Sequence, residues 1–191
     1  MARSDSSPET RWDDLYGLAE AQSGHFSARQ AADIGFYPQR LRKYLLSKRI
    51  ERVRRGIYRL THFPPSDDEE LVVYWLWTER EGVYSGETAL NLHELSNALP
   101  TRQHITLPES WRSRRLRVPK GIVLHFSDIP DTERTWAGPV PVTKAQRTIE
   151  DCIEMHVQPD LIEQAIAQAK ARGLITKATA TKLAKKPDSR R

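Results

Sequence analysis

One stretch, residues 27–60 (SARQAADIGFYPQRLRKYLLSKRIERVRRGIYRL), limits what this chain can fold into more than any other. Ser27 is a good helix N-cap with Gln30 three residues on, the pattern of a capping box, so a helix is predicted over 28–34. Gly35 follows, where a left-handed residue must turn the chain. Pro38 suits the first turn of a second helix, 38–47, because its missing N–H would have no helical partner there. Leu41, Leu45 and Leu46 are expected to form that helix's buried stripe with Tyr44 at its border. Two β-prone runs, 49–53 and 57–60, flank Arg54-Arg55-Gly56, which reads as a tight hairpin turn. The order of elements is that of a winged helix-turn-helix.

Charge points the same way. Between Tyr37 and Leu60 nine Lys/Arg stand against one acid, Glu51, a net of +8, while the whole chain carries +5. Everything else is therefore net −3, and the positive charge is local, as in a phosphate-binding element. A recognition helix reads bases mainly from its N-terminal half. Gln39, Arg40, Arg42 and Lys43 are thus the candidate groove residues, and Arg52, Arg54 and Arg55 the candidate wing contacts. Arginine suits both bidentate phosphate binding and a narrow minor groove. Ser27, Arg29 and Tyr37 complete the predicted DNA-binding set. A solvated basic helix and hairpin without a ligand would explain the charge alone. It would not explain why caps, turn, proline, stripe and charge coincide.

The remaining sequence predicts an α+β chain, the winged helix-turn-helix being followed by a small mixed α/β domain. The expected division is a disordered tail at 1–10, the DNA-binding domain at 11–63, a proline-broken linker at 64–68, an α+β domain at 69–184 and a basic tail at 185–191. A first helix is predicted over 12–22 and ends at Gly24. Helices are also predicted at 69–80, 87–95, 144–155, 159–172 and 176–184, with strands at 82–84, 103–107 and 121–126 and an extended piece at 140–142. The 69–80 helix is apolar over more than half its surface, so it is expected to be buried on several sides as core, or else to be an interface, with core the preferred reading. Residues 111–120 form a basic loop, with Arg112, Arg114, Arg115, Arg117 and Lys120, read either as a phosphate contact or as a solvated arm.

Catalytic patterns are missing. No acid pair with a lysine follows the linker in the order a metal-dependent nuclease needs, and no two histidines stand at i, i+4. One cysteine, Cys152, gives no zinc spacing or disulfide and is expected to be a buried thiol. His93, His104 and His125 read as structural, and no phosphate-cradling glycine loop occurs. The expectation is a protein with no catalytic residue, metal or cofactor. No run approaches the ~20 apolar residues of a membrane span, and MARSDSSPET carries no apolar leader, so a cytoplasmic location away from membranes is expected.

In its ordered blocks the chain resembles the AbiEi-type antitoxins of bacterial type IV (abortive-infection) toxin–antitoxin systems. The blocks are HFSARQAADIGFYPQRLRKYLLSKRIERVRRGIYRL, VYSGETALNLHEL, HITLP, the arginine-rich turn, GIVLHFSDIP and PVTKAQRTIEDCIE, spanning about Leu15 to Glu154. The last looks like the family's Thr-x-x-x-Arg-Thr helix start, here Thr143, Arg147 and Thr148. The resemblance implies an antitoxin that binds double-stranded DNA at an operator of repeats in its own promoter, represses its operon and antagonises a nucleotidyltransferase-like toxin. Alternatives are a plain transcriptional regulator without a toxin, a DNA-binding domain fused to a nuclease-like domain, or a module whose basic face meets an acidic protein.

Overall fold

A computed structural model describes residues 8–185. The architecture is α+β and falls into two compact units: Met1–Arg80 with Gly138–Val140, and Glu81–Ala137 with Pro141–Arg191. The first unit runs α1 (Pro8–Glu20), β1 (His25–Ser27), α2 (Ala28–Asp33), α3 (Pro38–Leu46), β2 (Ile50–Arg54), β3 (Ile57–Leu60) and α4 (Glu69–Trp77). The second runs β4 (Val83–Tyr84), α5 (Gly86–Leu92), β5 (Gln103–Leu107), the 3-10 turn η1 (Glu109–Trp111), β6 (Ile122–Phe126), the 3-10 turn η2 (Asp131–Glu133), β7 (Arg134–Ala137), β8 (Val140–Thr143), α6 (Ala145–Glu154), α7 (Pro159–Ala171) and α8 (Lys177–Ala184). Helix α1 starts at Pro8, earlier than expected, where the ring's fixed φ suits a first helical position. The rest of the two predicted tails, residues 1–7 and 186–191, lies outside the described residues.

The first unit is a winged helix-turn-helix. Its three strands pair antiparallel in the order β1-β3-β2, so β3 is central. Strand β1 was not expected, since three residues carry no alternation, and only pairing with β3 makes them a strand. One face of the sheet packs Phe26, Ile50 and Leu60 with Leu15, Ala19, Ala31, Phe36 and Leu41 into a closed core. Because neighbours along a strand point to opposite faces, Ile57 and Arg59 must lie on the other side. That side is covered by α4, which contacts β1 and β3 and whose Val72, Val73, Tyr74, Trp75 and Leu76 are all buried. The apolar helix is core, as its composition implied. Its place differs from the expected division, however: the compact unit ends at Arg80 and not at the proline linker, because α4 is needed to cover the sheet.

The second unit is built on a five-stranded mixed sheet of order β6-β5-β4-β8-β7. Strands β5 and β6 are parallel, as are β4 and β8, while β4 and β5 are antiparallel. Helices α5, α6, α7 and α8 pack in succession around Leu90, Leu95, Ile149, Ala165, Ala169 and Leu183. Cys152 is buried in this core, and burial pushes its thiol well above the ordinary cysteine range. No helix among the described residues is long and apolar enough to cross a membrane.

Gly24 is a tight backbone position in the first unit. Its φ is +81°, and a Cβ there would sit 2.7 Å from the Cγ of Phe63. Gly24→Ala therefore combines left-handed strain with a clash against a ring that is packed on the core. The expected loss is about 1–3 kcal/mol of unfolding free energy, seen as a lower denaturant midpoint; an unchanged midpoint would contradict this packing.

Candidate nucleic-acid interface

Helix α2, the first helix of the helix-turn-helix, is fixed at both of its ends by hydrogen bonds to backbone groups. Ser27 caps α2: its Oγ accepts from Gln30 N at 3.1 Å, and Gln30 Oε1 accepts from Ser27 N at 2.9 Å. The same Gln30 amide donates to the buried Gln22 Oε1 at 2.8 Å, tying the cap to the end of α1. At the other end Phe36 N donates to Ala31 O (2.7 Å) and Gly35 N to Ala32 O (2.9 Å), with Gly35 at φ +84°. This is a Schellman closure. It delivers Phe36 into the core at 1% exposure, against the Tyr44 ring 5.6 Å away.

Helix α3 then presents its charged side outward. Leu41 is buried and Leu45 packs against the core, but Leu46 is 76% exposed and does not belong to the stripe predicted for it, because it is the last helical residue and has rotated out. Tyr37, Gln39, Arg42 and Lys43 are exposed. Arg40 is half-buried: its Nη1 donates to Gly35 O at 3.4 Å and its guanidinium lies 5.4 Å from the centre of the Phe36 ring. Of the predicted helix residues it is the one already engaged within the protein. A second Schellman closure, Arg49 N to Tyr44 O and Lys48 N to Leu45 O with Lys48 at φ +54°, turns the chain into the wing.

The wing contains a bulge that decides its electrostatics. Arg54 pairs with Ile57, but Arg52 pairs with Tyr58 and Glu51 with Arg59, so Val53 is the extra residue and is 45% exposed. Without the bulge the register would set Arg52 against Arg59. With it, Glu51 faces Arg59, replacing a like-charge pair by an opposite one. Arg59 also reaches α4: Nη2 lies 2.8 Å from Glu69 Oε1 and donates to Phe63 O, also at 2.8 Å, with the side chain only 11% exposed. Arg54, predicted at the tip, leans on α4 instead, 5.5 Å from the centre of the Tyr74 ring. Arg52 and Arg55 are exposed, and Arg29 is exposed beside Glu79.

The predicted set is therefore brought onto one unit but is not uniform. Gln39, Arg42, Lys43, Arg52 and Arg55, with Tyr37, are available to a ligand; Ser27 is a cap; Arg40 and Arg54 are held by aromatic rings. Two structural arginines were missed. Arg49 stacks 3.8 Å above the Trp12 ring, which itself stacks on Tyr44 at 4.9 Å. Arg59 is the other, and its signal was its position in β3 among Ile57, Tyr58 and Leu60, where a charge needs a partner.

The Thr-x-x-x-Arg-Thr block in the second unit is a structural clasp. Thr148 Oγ1 donates to Thr143 O at 2.9 Å, and Arg147 bonds Asp151 (2.7 Å), Glu133 (2.6 Å) and Ser127 (3.3 Å). Burial alone would lower the Arg147 pKa, but the two carboxylates hold it above its usual value. His93 Nε2 donates to Thr143 O at 2.7 Å, and His104 Nδ1 and His125 Nε2 are hydrogen-bond partners at 3.1 Å, one ring donating and the other accepting according to tautomer. No group of three or more metal-ligating side chains occurs among the described residues.

Burial lowers the pKa of His93, His104 and His125, and of His25 beneath α4. Unfolded histidines take up protons near the ordinary value of about 6.5, whereas these four do so only at lower pH. Stability is thus fully present above about pH 6.5 and falls as the medium acidifies towards the folded-state pKa values. Urea midpoints at about pH 7.5 and about 5.5 should show the loss; equal midpoints would contradict the buried histidines. Replacing Arg59 by Met should cost about 2–4 kcal/mol by stranding Glu69, whereas Arg55→Ala should cost under about 0.5. Thermal unfolding of the pair tests that contrast, and similar losses would contradict it.

Comparison with known proteins bears on the same segment. A family model described as "Transcriptional regulator, AbiEi antitoxin" matches residues 13–61; the blocks from Val83 onward lie outside that match. No curated protein matches the chain. Among solved structures, the crystal structure of RV2827C protein from Mycobacterium tuberculosis is similar, at 12% identity over 94% of this chain and 82% of that one, with a TM-score of 0.43. Residues 13–61 hold the helix-turn-helix and all of its wing, so over this segment the chain is similar to the AbiEi-antitoxin transcriptional regulators.

Proposed function

We propose that this chain is a non-catalytic, DNA-binding antitoxin of a type IV toxin–antitoxin system. Its winged helix binds repeats in the promoter of its own operon and represses it. Its second unit serves to antagonise a nucleotidyltransferase-like toxin. The observation that carries the DNA-binding half is the outward group Gln39, Arg42 and Lys43 on α3 with Arg52 and Arg55 on the wing. All are exposed, and none has an ion-pair partner among the described residues. An arrangement of free cations beside a rigid helix start is what groove docking with flanking phosphate contacts requires. The toxin half rests on the family resemblance.

Fluorescence anisotropy with duplex DNA from the upstream promoter tests the reading. The four free cations, Arg42, Lys43, Arg52 and Arg55, give a slope of log affinity against log salt of roughly −4. Gln39→Ala should cost about 1–3 kcal/mol on the cognate operator and little on random DNA. Arg55→Ala should weaken both alike and flatten the slope by about one. Salt-independent binding, or none to the promoter, would sink the reading. Co-expression with the toxin should restore growth, and continued arrest would remove the antitoxin half alone.

A further inference from the structure

We propose that the connection between β5 and β6 is a second DNA-backbone contact, a preset arginine loop on the second unit. The proposal rests on the reading that the winged helix binds duplex DNA. Parallel neighbours such as β5 and β6 need a crossover, which is usually a helix that covers the sheet. Here residues 108–121 hold one 3-10 turn and otherwise irregular backbone. The sequence has spent this crossover on charge.

Four side chains anchor the loop. Trp111 and Pro119 are buried. Arg112 is neutralised by Glu109, donates from Nη2 to Phe126 O at 3.1 Å and lies 5.2 Å from the centre of the Phe126 ring. Arg114 has its guanidinium carbon over Trp111, 3.8 Å from the ring centre. Between these anchors Arg115 and Arg117 are exposed and have no ion-pair or hydrogen-bond partner among the described residues. A loop fixed in this way loses little conformational entropy when a ligand binds.

The charge is as local as that of the wing. From Glu109 to Lys120 five Lys/Arg face one acid, a net of +4, and that acid is already engaged by Arg112. With the +8 of residues 37–60 the two segments hold +12, so the rest of a +5 chain is −7. Two cationic islands in an otherwise acidic chain are not generic basicity. Four of the five cations in the loop are arginine, whose planar fork matches a phosphate bidentately where lysine offers a point charge. The same fork also matches a carboxylate, so the choice of phosphate over an acidic protein follows from the duplex that the winged helix is proposed to bind.

The test uses the full chain and a duplex longer than a winged-helix footprint, with binding measured across a salt series. The double variant Arg115→Gln/Arg117→Gln removes two exposed side chains without structural partners, and circular dichroism verifies its fold. Its salt slope should flatten by about two, with affinity lost by on the order of tenfold on cognate and random DNA alike. Arg115→Lys/Arg117→Lys should keep the slope. If the Gln variant binds like the parent while Arg52→Ala/Arg55→Ala weakens binding, the loop proposal falls and the winged-helix reading stands, even if the loop then proves to hold an acidic protein. If only the loop variant weakens binding, the winged-helix reading falls, and with it the loop's place as a second contact. A parent chain that binds no DNA sinks both.

Discussion

Everything proposed for the N-terminal unit hangs on Phe36. Its amide closes α2 and its ring enters the core beside Tyr44, so the residue that ends one helix also sets the angle of the next. A left-handed residue must come immediately before it, and glycine takes that conformation at the least cost. Once Phe36 and Leu41 are buried, the polar residues of α3 have nowhere to go but outward. The outward polar side of α3 is a consequence of packing and needs no strain to maintain it.

The concentration of positive charge looks uniform in the sequence and is divided in the structure. Arg49 and Arg40 rest on aromatic rings, Arg54 on Tyr74, and Arg59 on Glu51 and Glu69. These hold the wing and α3 to the body of the unit. Arg42, Lys43, Arg52 and Arg55 are left to a ligand. The division has a physical basis: a cation stacked or paired within the fold has already lost part of its water, and pulling it away towards a phosphate would return little. Net charge therefore overstates the number of phosphate contacts, and a slope nearer that of the free cations is the natural expectation.

Much of this was legible in the sequence because it is local. Ser27 with Gln30, Gly35 and Pro38 fix helix ends within a few residues, and the hairpin follows from Arg55-Gly56. What was not legible depends on partners distant in the chain. His25–Ser27 is a strand only because β3 lies beside it. The bulge at Val53 is chosen by Arg59 across the hairpin, and α4 joins the first unit because the sheet's second face needs a cover. Strand β7, Arg134–Ala137, was also missed; RTWA carries no alternation, and its neighbour β8 supplies the pairing. The roles of individual arginines were hidden for the same reason, since a side chain's partner is a tertiary fact.

The central claim is that the first unit meets DNA through the start of α3 and the wing. The most direct measurement is a map of backbone amide chemical shifts as duplex promoter DNA is titrated into the chain. The account predicts that the signals of Tyr37–Lys43 and Arg52–Gly56 move together, while those of α4, behind the sheet, stay in place. Shifts that leave both α3 and the wing untouched while DNA is bound would contradict it.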